Sequence, residues 1–444
     1  MKVLLVRIKP ENIFARLKTV CFEPLELEYL AAAVNGLGFT YAIYDGMIAK
    51  RTFGETLESY RPAVVCLTGY TIHVEGIKAY AQEVKRHVPR AVVVVGGIHA
   101  ELNWEDFYDG NIDVIVYADP VQTFRNILRS INGAGDLTKV LNICYRRNGH
   151  WHRNSAGSFD PELLPLPDRR HLKENGRYFR YFGKERCALV KTAWGCAYNC
   201  NFCYCAQLNG GRYSVRSLEK VIQEIKTLPE KKIFIIDDDF LTDGERVRRF
   251  CALIEEAGIV KNFSIYGRAD LICKYRELLP GLKKAGIREI IVGLEALDDQ
   301  VLAGFNKQST TEVNLQAVDY LKEAGISCTG LFIIDENYGK QEFKNLVRQI
   351  FRMNLDLCMF SIFTPLKGVP GYSAYQAKRI IPEDHYEKAD FLHLTIKPGK
   401  LSIVRFYREF YLLYLKTYLW PPRLIKNFKP LMKSLGNLIW NMLF

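Results

Sequence analysis

No apolar run in this 444-residue chain reaches the ~18–20 residues needed to cross a bilayer, which excludes an ordinary membrane-spanning helix. The start, MKVLLVRIKPENIF, has too short an apolar stretch before Arg7 and Lys9 for a signal peptide. The expectation is a cytoplasmic protein, with peripheral contact to the inner face of a membrane left open. No short repeat of solenoid type is present. The balance of 48% hydrophobic and 25% charged residues excludes a disordered, collagen-like or small disulfide-stapled protein. The length exceeds the ~250–300 residues at which one core stops growing, so two or more domains are expected. Acids are almost missing from residues 401–444, where seven lysines and arginines face Glu409 alone; this segment supplies +6 of the net +12 and points to an anionic partner.

Within residues 1–140, short apolar runs at 2–8, 41–45, 63–69, 91–97 and 113–118 alternate with helix-period segments. Continuous β-branched runs separated by helices predict a doubly wound parallel sheet with its ligand beyond the strands' carboxyl ends. Residues 141–186, with the Pro-rich LLPLPDRRHL, suit a linker. A second strand–helix series over 187–375 contains six candidate strands, which suggests a partial (β/α)6 barrel with chemistry at the same end of its strands. Residues 376–444 read as a helical, aromatic and basic extension. The fold class is therefore α/β in both main domains.

Eight of the twelve cysteines are scattered singly, but four crowd into Cys196-Ala197-Tyr198-Asn199-Cys200-Asn201-Phe202-Cys203-Tyr204-Cys205, just after the first strand of the second series. Cys196, Cys200 and Cys203 can converge from one loop on a cubane iron–sulfur cluster, and three thiolates on four irons leave one iron open. Zinc is the alternative; Cys205 could supply a fourth thiolate, but no second CxxC or HxxxH lies nearby.

This CxxxCxxC loop, with Phe202 before the last cysteine, resembles the radical S-adenosylmethionine (SAM) superfamily. The resemblance implies a 4Fe-4S cluster whose open iron is chelated by SAM, with Phe202 by the adenine. It also implies an electron donor such as flavodoxin or ferredoxin. Asp237, Asp238 and Asp239 end the second strand where relatives have acidic residues facing the SAM amino group; a helix N-cap could account for one of them. Arg268, Asp270 and Glu295 end the third and fourth strands as in relatives that hold the SAM carboxylate and ribose, or they form a structural salt bridge. Lys307 matches a family position but also reads as a solvated loop lysine. The turns after the fifth and sixth strands, Asp335-Glu336-Asn337-Tyr338-Gly339 and Thr364-Pro365-Leu366-Lys367-Gly368, depart from the family pattern.

The first domain resembles the cobalamin-binding domain fused to many radical SAM enzymes, through 24–32, the Thr68 loop, and Gly96-Gly97-Ile98-His99. Glycines at a strand end let the backbone approach a bulky ligand closely. The Asp-x-His-x-x-Gly motif that ligates cobalt from below is absent, because the corresponding stretch is Asp45-Gly46-Met47-Ile48-Ala49-Lys50. Cobalt without a histidine beneath it is therefore implied. His99 could reach the nucleotide tail or lower face, or serve as a structural donor. Ala118-Asp119-Pro120-Val121 replaces the relatives' Gly-Glu-Gly-Glu.

Together these resemblances imply a cobalamin-dependent radical SAM enzyme that methylates an unactivated carbon of a small-molecule or lipid-like substrate. Oxidative cyclisation or rearrangement without methyl transfer is the alternative, and a non-catalytic cobalamin or redox sensor the remote one. In the tail, residues ~401–420 are expected to cap the barrel and ~421–444 to lie at a lipid interface. No nucleic-acid-binding module is evident.

Overall fold

β-Branched runs become strands in both halves of the chain, and their helical partners decide which faces are buried. The computed structural model describes residues 1–9, 21–181 and 185–419. The chain divides into two units: Cys21–Phe179 with the amino-terminal strand and Gln207–Val215, and Arg180–Ala206 with the residues from Arg216 onward.

In the first unit β1 (Lys2–Arg7), α1 (Leu25–Val34), β2 (Thr40–Asp45), α2 (Phe53–Tyr60), β3 (Val64–Thr68), α3 (Val74–His87), β4 (Val92–Gly96), α4 (Ile98–Leu102), β5 (Val114–Val116) and α5 (Pro120–Ile131) follow one another. The strands pair in parallel in the order β2-β1-β3-β4-β5. Val3, Leu4, Leu5 and Val6 have no exposed surface, as a sheet covered on both faces requires. The strand order reverses between β1 and β3, the point at which such sheets bind ligands.

The predicted linker is largely structured. β6 (Ile143–Arg147) and β7 (His150–Arg153) form an antiparallel hairpin that extends this sheet beyond β5. Asn148 and Gly149 at its turn have φ of 52° and 82°, the left-handed pair that a tight type I′ hairpin needs. Further on, Arg169 is buried against Glu23 and Glu28 at 2.9 and 3.0 Å, just before α6 (Arg170–Asn175). Residues 143–179 thus complete the first unit rather than bridge two.

The second unit holds β8 (Arg180–Tyr181), β9 (Glu185–Val190), α7 (Leu218–Thr227), β10 (Lys232–Ile235), α8 (Gly244–Glu256), β11 (Asn262–Arg268), α9 (Ala269–Lys274), α10 (Leu279–Lys284), β12 (Ile287–Glu295), α11 (Asp299–Gly304), α12 (Thr311–Glu323), β13 (Ser327–Ile334), α13 (Lys340–Met353), β14 (Leu357–Ile362) and α14 (Ile403–Tyr418). Strands β9 to β14 run parallel in sequence order, the six-stranded partial barrel expected, with β8 antiparallel at one edge.

The extension is less helical than expected. Residues 379–402, with Pro382 and Pro398, hold no α-helix; they are irregular apart from a 3-10 turn at Tyr386–Lys388 and a bridge between Arg379 and Ile396. α14 then covers the open edge of β14. The Tyr414 hydroxyl donates to Phe360 O at 2.7 Å and accepts from Phe360 N at 3.3 Å, and Tyr418 does the same at Cys358. Two tyrosines one helical turn apart thereby satisfy backbone groups that an edge strand would otherwise present for pairing. The expected interfacial segment, ~421–444, lies outside the described residues.

Candidate active site

The cysteine loop leaves β9 and is tied down along its length. Asn201 N donates to Phe305 O at 3.0 Å, its side-chain amide to Gly304 O at 3.0 Å, and the Asn306 side chain to Asn199 O at 2.7 Å. Phe202 packs edge-on against Phe305, ring centroids 5.3 Å apart, on a cluster with Phe363 and Ile396. Cys196 and Cys203 are half-buried and Cys200 is buried.

The three aspartates have three different jobs. Asp237 is buried and accepts from Thr192 N at 2.6 Å, the Thr192 hydroxyl and Ala193 N at 3.0 Å, so it anchors the start of the cysteine loop. Asp238 accepts from Gly195 N at 2.9 Å, one residue before Cys196. Asp239 accepts from Leu241 N at 2.9 Å through Oδ1, while its buried Oδ2 has no partner among the described residues. Burial pushes Asp239 up to about 7, and the charges of Arg268, Asp270 and Lys307 act on it. None of the three caps the following helix; Asp243 does, accepting from Glu245 N and Arg246 N.

At the end of β11, Arg268 gathers the site. It donates to Asp270 at 2.9 Å, to Cys200 Sγ at 3.6 Å and to Lys307 O, and its guanidinium stacks 3.4 Å from the Tyr198 ring centroid. Tyr198 in turn donates to Asp270 at 2.9 Å. Lys307 is buried, not solvated, and pairs with Glu295 at 2.8 Å. Burial and the nearby Arg268 pull Lys307 down, but the charges of Glu295 and Cys200 and the hydrogen bond to Glu295 together raise the ammonium above its ordinary range. Glu295 has φ of 58°, and a Cβ on Gly293 would lie 2.4 Å from its Oε1. Gly293 is the residue that lets this pair fold back against the strand. The salt-bridge reading thus holds in a different form: Arg268 with Asp270, and Glu295 with Lys307.

These donors fit a cluster bound by three thiolates. Burial pushes Cys196 up to about 11 and raises Cys200, against the pull of Lys307 and Arg268, whereas a hydrogen bond from Cys205 lowers Cys203. Iron binding would displace these protons. Among the described residues no three His, Cys, Asp or Glu side chains stand close enough to share one metal ion. Thiolates on a cubane bind different irons and so stand apart. Asp239 Oδ2 remains as an acceptor for a ligand's ammonium group.

The barrel's inner face has two characters. Near the amino ends of the strands, Glu289 accepts from Tyr181 at 3.1 Å, Thr329 at 2.8 Å and Ser264, and Lys232 lies 3.6 Å away; this is a satisfied polar floor. By alternation from Thr329, Leu331 shares that face, and it pairs in register with Met359, which is 47% exposed. The β13–β14 side of the wall is therefore apolar and only partly covered. Glu336, in the turn beyond β13 that departs from the family pattern, is buried, with Lys378 at 3.5 Å and Oε2 without a partner among the described residues.

In the first unit, Thr68, Gly96, Gly97 and His99 gather at the carboxyl ends of β3 and β4. Gly97 has φ of 111°, and a Cβ there would meet Gly69 O at 2.5 Å, so its lack of a side chain serves the packing of two loops. A Cβ on Gly96 would meet nothing closer than 3.7 Å, which leaves room for a ligand to approach. His99 is buried with Nδ1 3.1 Å from the Thr71 hydroxyl and Nε2 2.9 Å from Asp106, so both ring nitrogens are engaged within the fold. Asp45 pairs with Arg7 at 2.6 Å and accepts from Met47 N at 3.0 Å. His73 carries the signal that sequence reasoning missed: its Nδ1 accepts from Tyr70 N at 3.1 Å and its buried Nε2 has no partner among the described residues.

Residues 190–350 match the radical SAM superfamily, and residues 17–128 match the B12 binding domain. The chain is a radical SAM enzyme with a B12-binding domain. It is 25% identical to the hopanoid C-3 methylase of Methylococcus capsulatus over 92% of this chain and 78% of that protein. It is 26% identical to the anaerobic magnesium-protoporphyrin IX monomethyl ester cyclase of Cereibacter sphaeroides, over 88% of this chain and 67% of the relative. Among solved structures, the radical SAM methyltransferase TsrM from Kitasatospora setae, with cobalamin and a [4Fe-4S] cluster bound, superposes with a TM-score of 0.70 at 19% identity, over 92% of this chain and 85% of that one. OxsB, with aqua-cobalamin and SAM bound, gives 0.67 at 18% identity over 89% of this chain and 57% of the longer OxsB chain. The fold of this radical SAM enzyme is thus that of cobalamin-dependent relatives.

Proposed function

We propose that this enzyme transfers a methyl group to an unactivated carbon of a small-molecule or lipid-like substrate, using a 4Fe-4S cluster, SAM and cobalamin. The observation that carries the reading is the presentation of Cys196, Cys200 and Cys203 on one pinned loop beside Asp239, whose Oδ2 is unclaimed. When bound, these groups supply radical formation from SAM and a methyl carrier; the chain supplies position and exclusion of water. The three cysteines would hold the cluster, Asp239 would accept from the SAM ammonium group, and Phe202 would pack near the adenine. Asp237 and Asp238 hold the loop's entry, Arg268 holds Cys200 and Tyr198, and Glu295 with Lys307 closes the site's flank. Thr68, Gly96 and Gly97 shape the first unit's corrin-facing end, where no histidine in the loop after β2 ligates cobalt. The apolar wall around Leu331 and Met359 supports a substrate rich in carbon–hydrogen surface. A flavodoxin- or ferredoxin-like donor would supply the electron. The enzyme would act in the cytoplasm, and residues ~421–444, basic and aromatic, would bring it to a membrane surface.

Similarity to the monomethyl ester cyclase favours the second reading, cyclisation or rearrangement without methyl transfer. Anaerobic reconstitution with iron, sulfide and cobalamin, followed by incubation with methyl-deuterated SAM and candidate substrates, separates them. Near four irons and one corrin per chain with label in the product supports methylation. An unlabelled, oxidised product supports the cyclase reading, and zinc in place of iron overturns both.

A further inference from the structure

Where the strand order of the first unit reverses, a buried hydrogen-bond donor is left unused by the fold. His73 stands in the turn between β3 and α3, packed over Gly69, where a Cβ would lie 2.7 Å from the His73 Cβ and 2.8 Å from its Nδ1. The Tyr70 backbone N–H donates to Nδ1 at 3.1 Å, so that nitrogen keeps its lone pair and the ring's hydrogen sits on Nε2. Nε2 is buried and has no partner among the described residues. Burial, with the charge of Arg7, holds the imidazole down to about 4, so the ring is neutral at pH 7. A buried N–H without an acceptor costs free energy, and native folds rarely leave one. The other polar side chains described at these strand ends are matched: His99 by Thr71 and Asp106, and Asp45 by Arg7 and Met47 N. The unmatched donor follows β3, next to β1, the place at which such sheets take their ligands.

We propose that His73 Nε2–H donates a hydrogen bond to an acceptor oxygen of the bound corrinoid, a carboxamide carbonyl of the ring's side chains or the phosphate of the nucleotide tail, and does not ligate cobalt. The proposal rests on the cobalamin reading above and deepens it by giving the cofactor a directed polar contact. The tautomer sets the role. A cobalt ligand needs a lone pair on Nε2, but moving the hydrogen to Nδ1 would set it against the Tyr70 N–H and break that bond. A buried neutral donor selects by acceptor rather than by charge, because a ligand that offers no acceptor leaves it unpaired.

The test uses the full-length protein with its cluster reconstituted anaerobically. Dissociation constants are measured in dim light for methylcobalamin and for methylcobinamide, which lacks the nucleotide and its phosphate. His73→Leu removes the donor without adding bulk where Nε2 stood, and His73→Gln returns an N–H near that place. His73→Leu should weaken methylcobalamin binding about tenfold, and His73→Gln only about two- to threefold. Melting at pH 7 and near-ultraviolet circular dichroism of the corrin-free protein should stay close to wild type in both, because the N–H removed had no partner to lose. If the tenfold step recurs with methylcobinamide, the acceptor is a ring amide; if it vanishes there, the acceptor is on the nucleotide tail. Electron paramagnetic resonance of wild type loaded with cob(II)inamide should show no nitrogen splitting of the cobalt lines. A three-line splitting that His73→Leu abolishes would make His73 a cobalt ligand and overturn the assignment. Unchanged methylcobalamin affinity in His73→Leu overturns it too, as does an equal loss in both variants, which would reduce the effect to packing. Each of these leaves the cofactor reading intact. Wild type that binds neither corrinoid overturns that reading, and the proposal with it.

Discussion

The strand ends of the two units handle polar groups in opposite ways. At the barrel's ends, charged side chains are drawn inward: Arg268, Glu295, Lys307, Asp237 and Asp239 are all buried, and nearly every oxygen and nitrogen among them is matched. The exception, Asp239 Oδ2, stands beside the cysteine loop. At the carboxyl ends of β3 and β4 in the first unit, small residues and glycines prevail, and the buried His99, read from sequence as a ligand contact or a structural donor, is matched on both nitrogens. A site for a small charged ligand needs directed side-chain charges, whereas a broad cofactor needs backbone that can come close. The two ends differ in that sense.

The largest test of this contrast is replacement of Cys196, Cys200 or Cys203 by Ala. Each should abolish SAM cleavage and most of the bound iron while corrin binding survives, checked by iron assay and by 5′-deoxyadenosine release. Next, Asp239→Asn and Asp237→Asn should diverge. Loss of a charge-assisted contact to an ammonium is worth about 1.5–3 kcal/mol, so Asp239→Asn should weaken SAM binding roughly 10- to 150-fold with cluster content kept. Asp237→Asn should instead lower thermal stability and cluster retention, because the amide keeps one oxygen for Thr192 N and Ala193 N but puts an NH2 where Oδ2 accepted from the Thr192 hydroxyl.

In the first unit, Gly97→Ala forces a Cβ to 2.5 Å from Gly69 O at a positive φ and should cost about 1–3 kcal/mol or more. Gly96→Ala has room in the fold and should leave stability nearly unchanged, so any loss of corrin binding it causes reports the close approach of the ligand. His99→Ala should lower the melting temperature, because it removes the buried contacts to Thr71 and Asp106, yet barely change corrin affinity in the folded fraction. A collapse of affinity at unchanged stability would restore His99 as a ligand contact.

The smallest effect is a pH dependence at His73, which burial holds down to about 4, below its usual 6.5. Between those values the unfolded chain binds a proton that the folded one does not, so stability falls as pH drops from about 6.5 towards 4. His73→Gln should make melting curves at pH 5 and pH 7 more alike than in the wild type.

Strand and helix order was legible because periodicity is local: apolar runs such as AVVVVGG and REIIVGLEA carry their own burial. The hairpin of β6 and β7 was legible too, in Asn148-Gly149 between Tyr145 and Trp151, but the charged residues around it looked like linker. Lys307 looked solvated because its partner Glu295 lies twelve positions back, across a helix. The Asp237–Asp239 run looked like one acidic patch. Only the loops packed on each carboxylate separate an anchor from a ligand contact.

Spacing alone carries the cysteine loop, the two strand–helix series and the basic, acid-poor end, because three thiols for one cluster must sit close in the chain and parallel strands must alternate with helices. Which polar atoms are left without a partner waits for the tertiary structure. A side chain's hydrogen bonds depend on residues far away in sequence, and so does whether a helix such as α14 has one buried face or a second one still open.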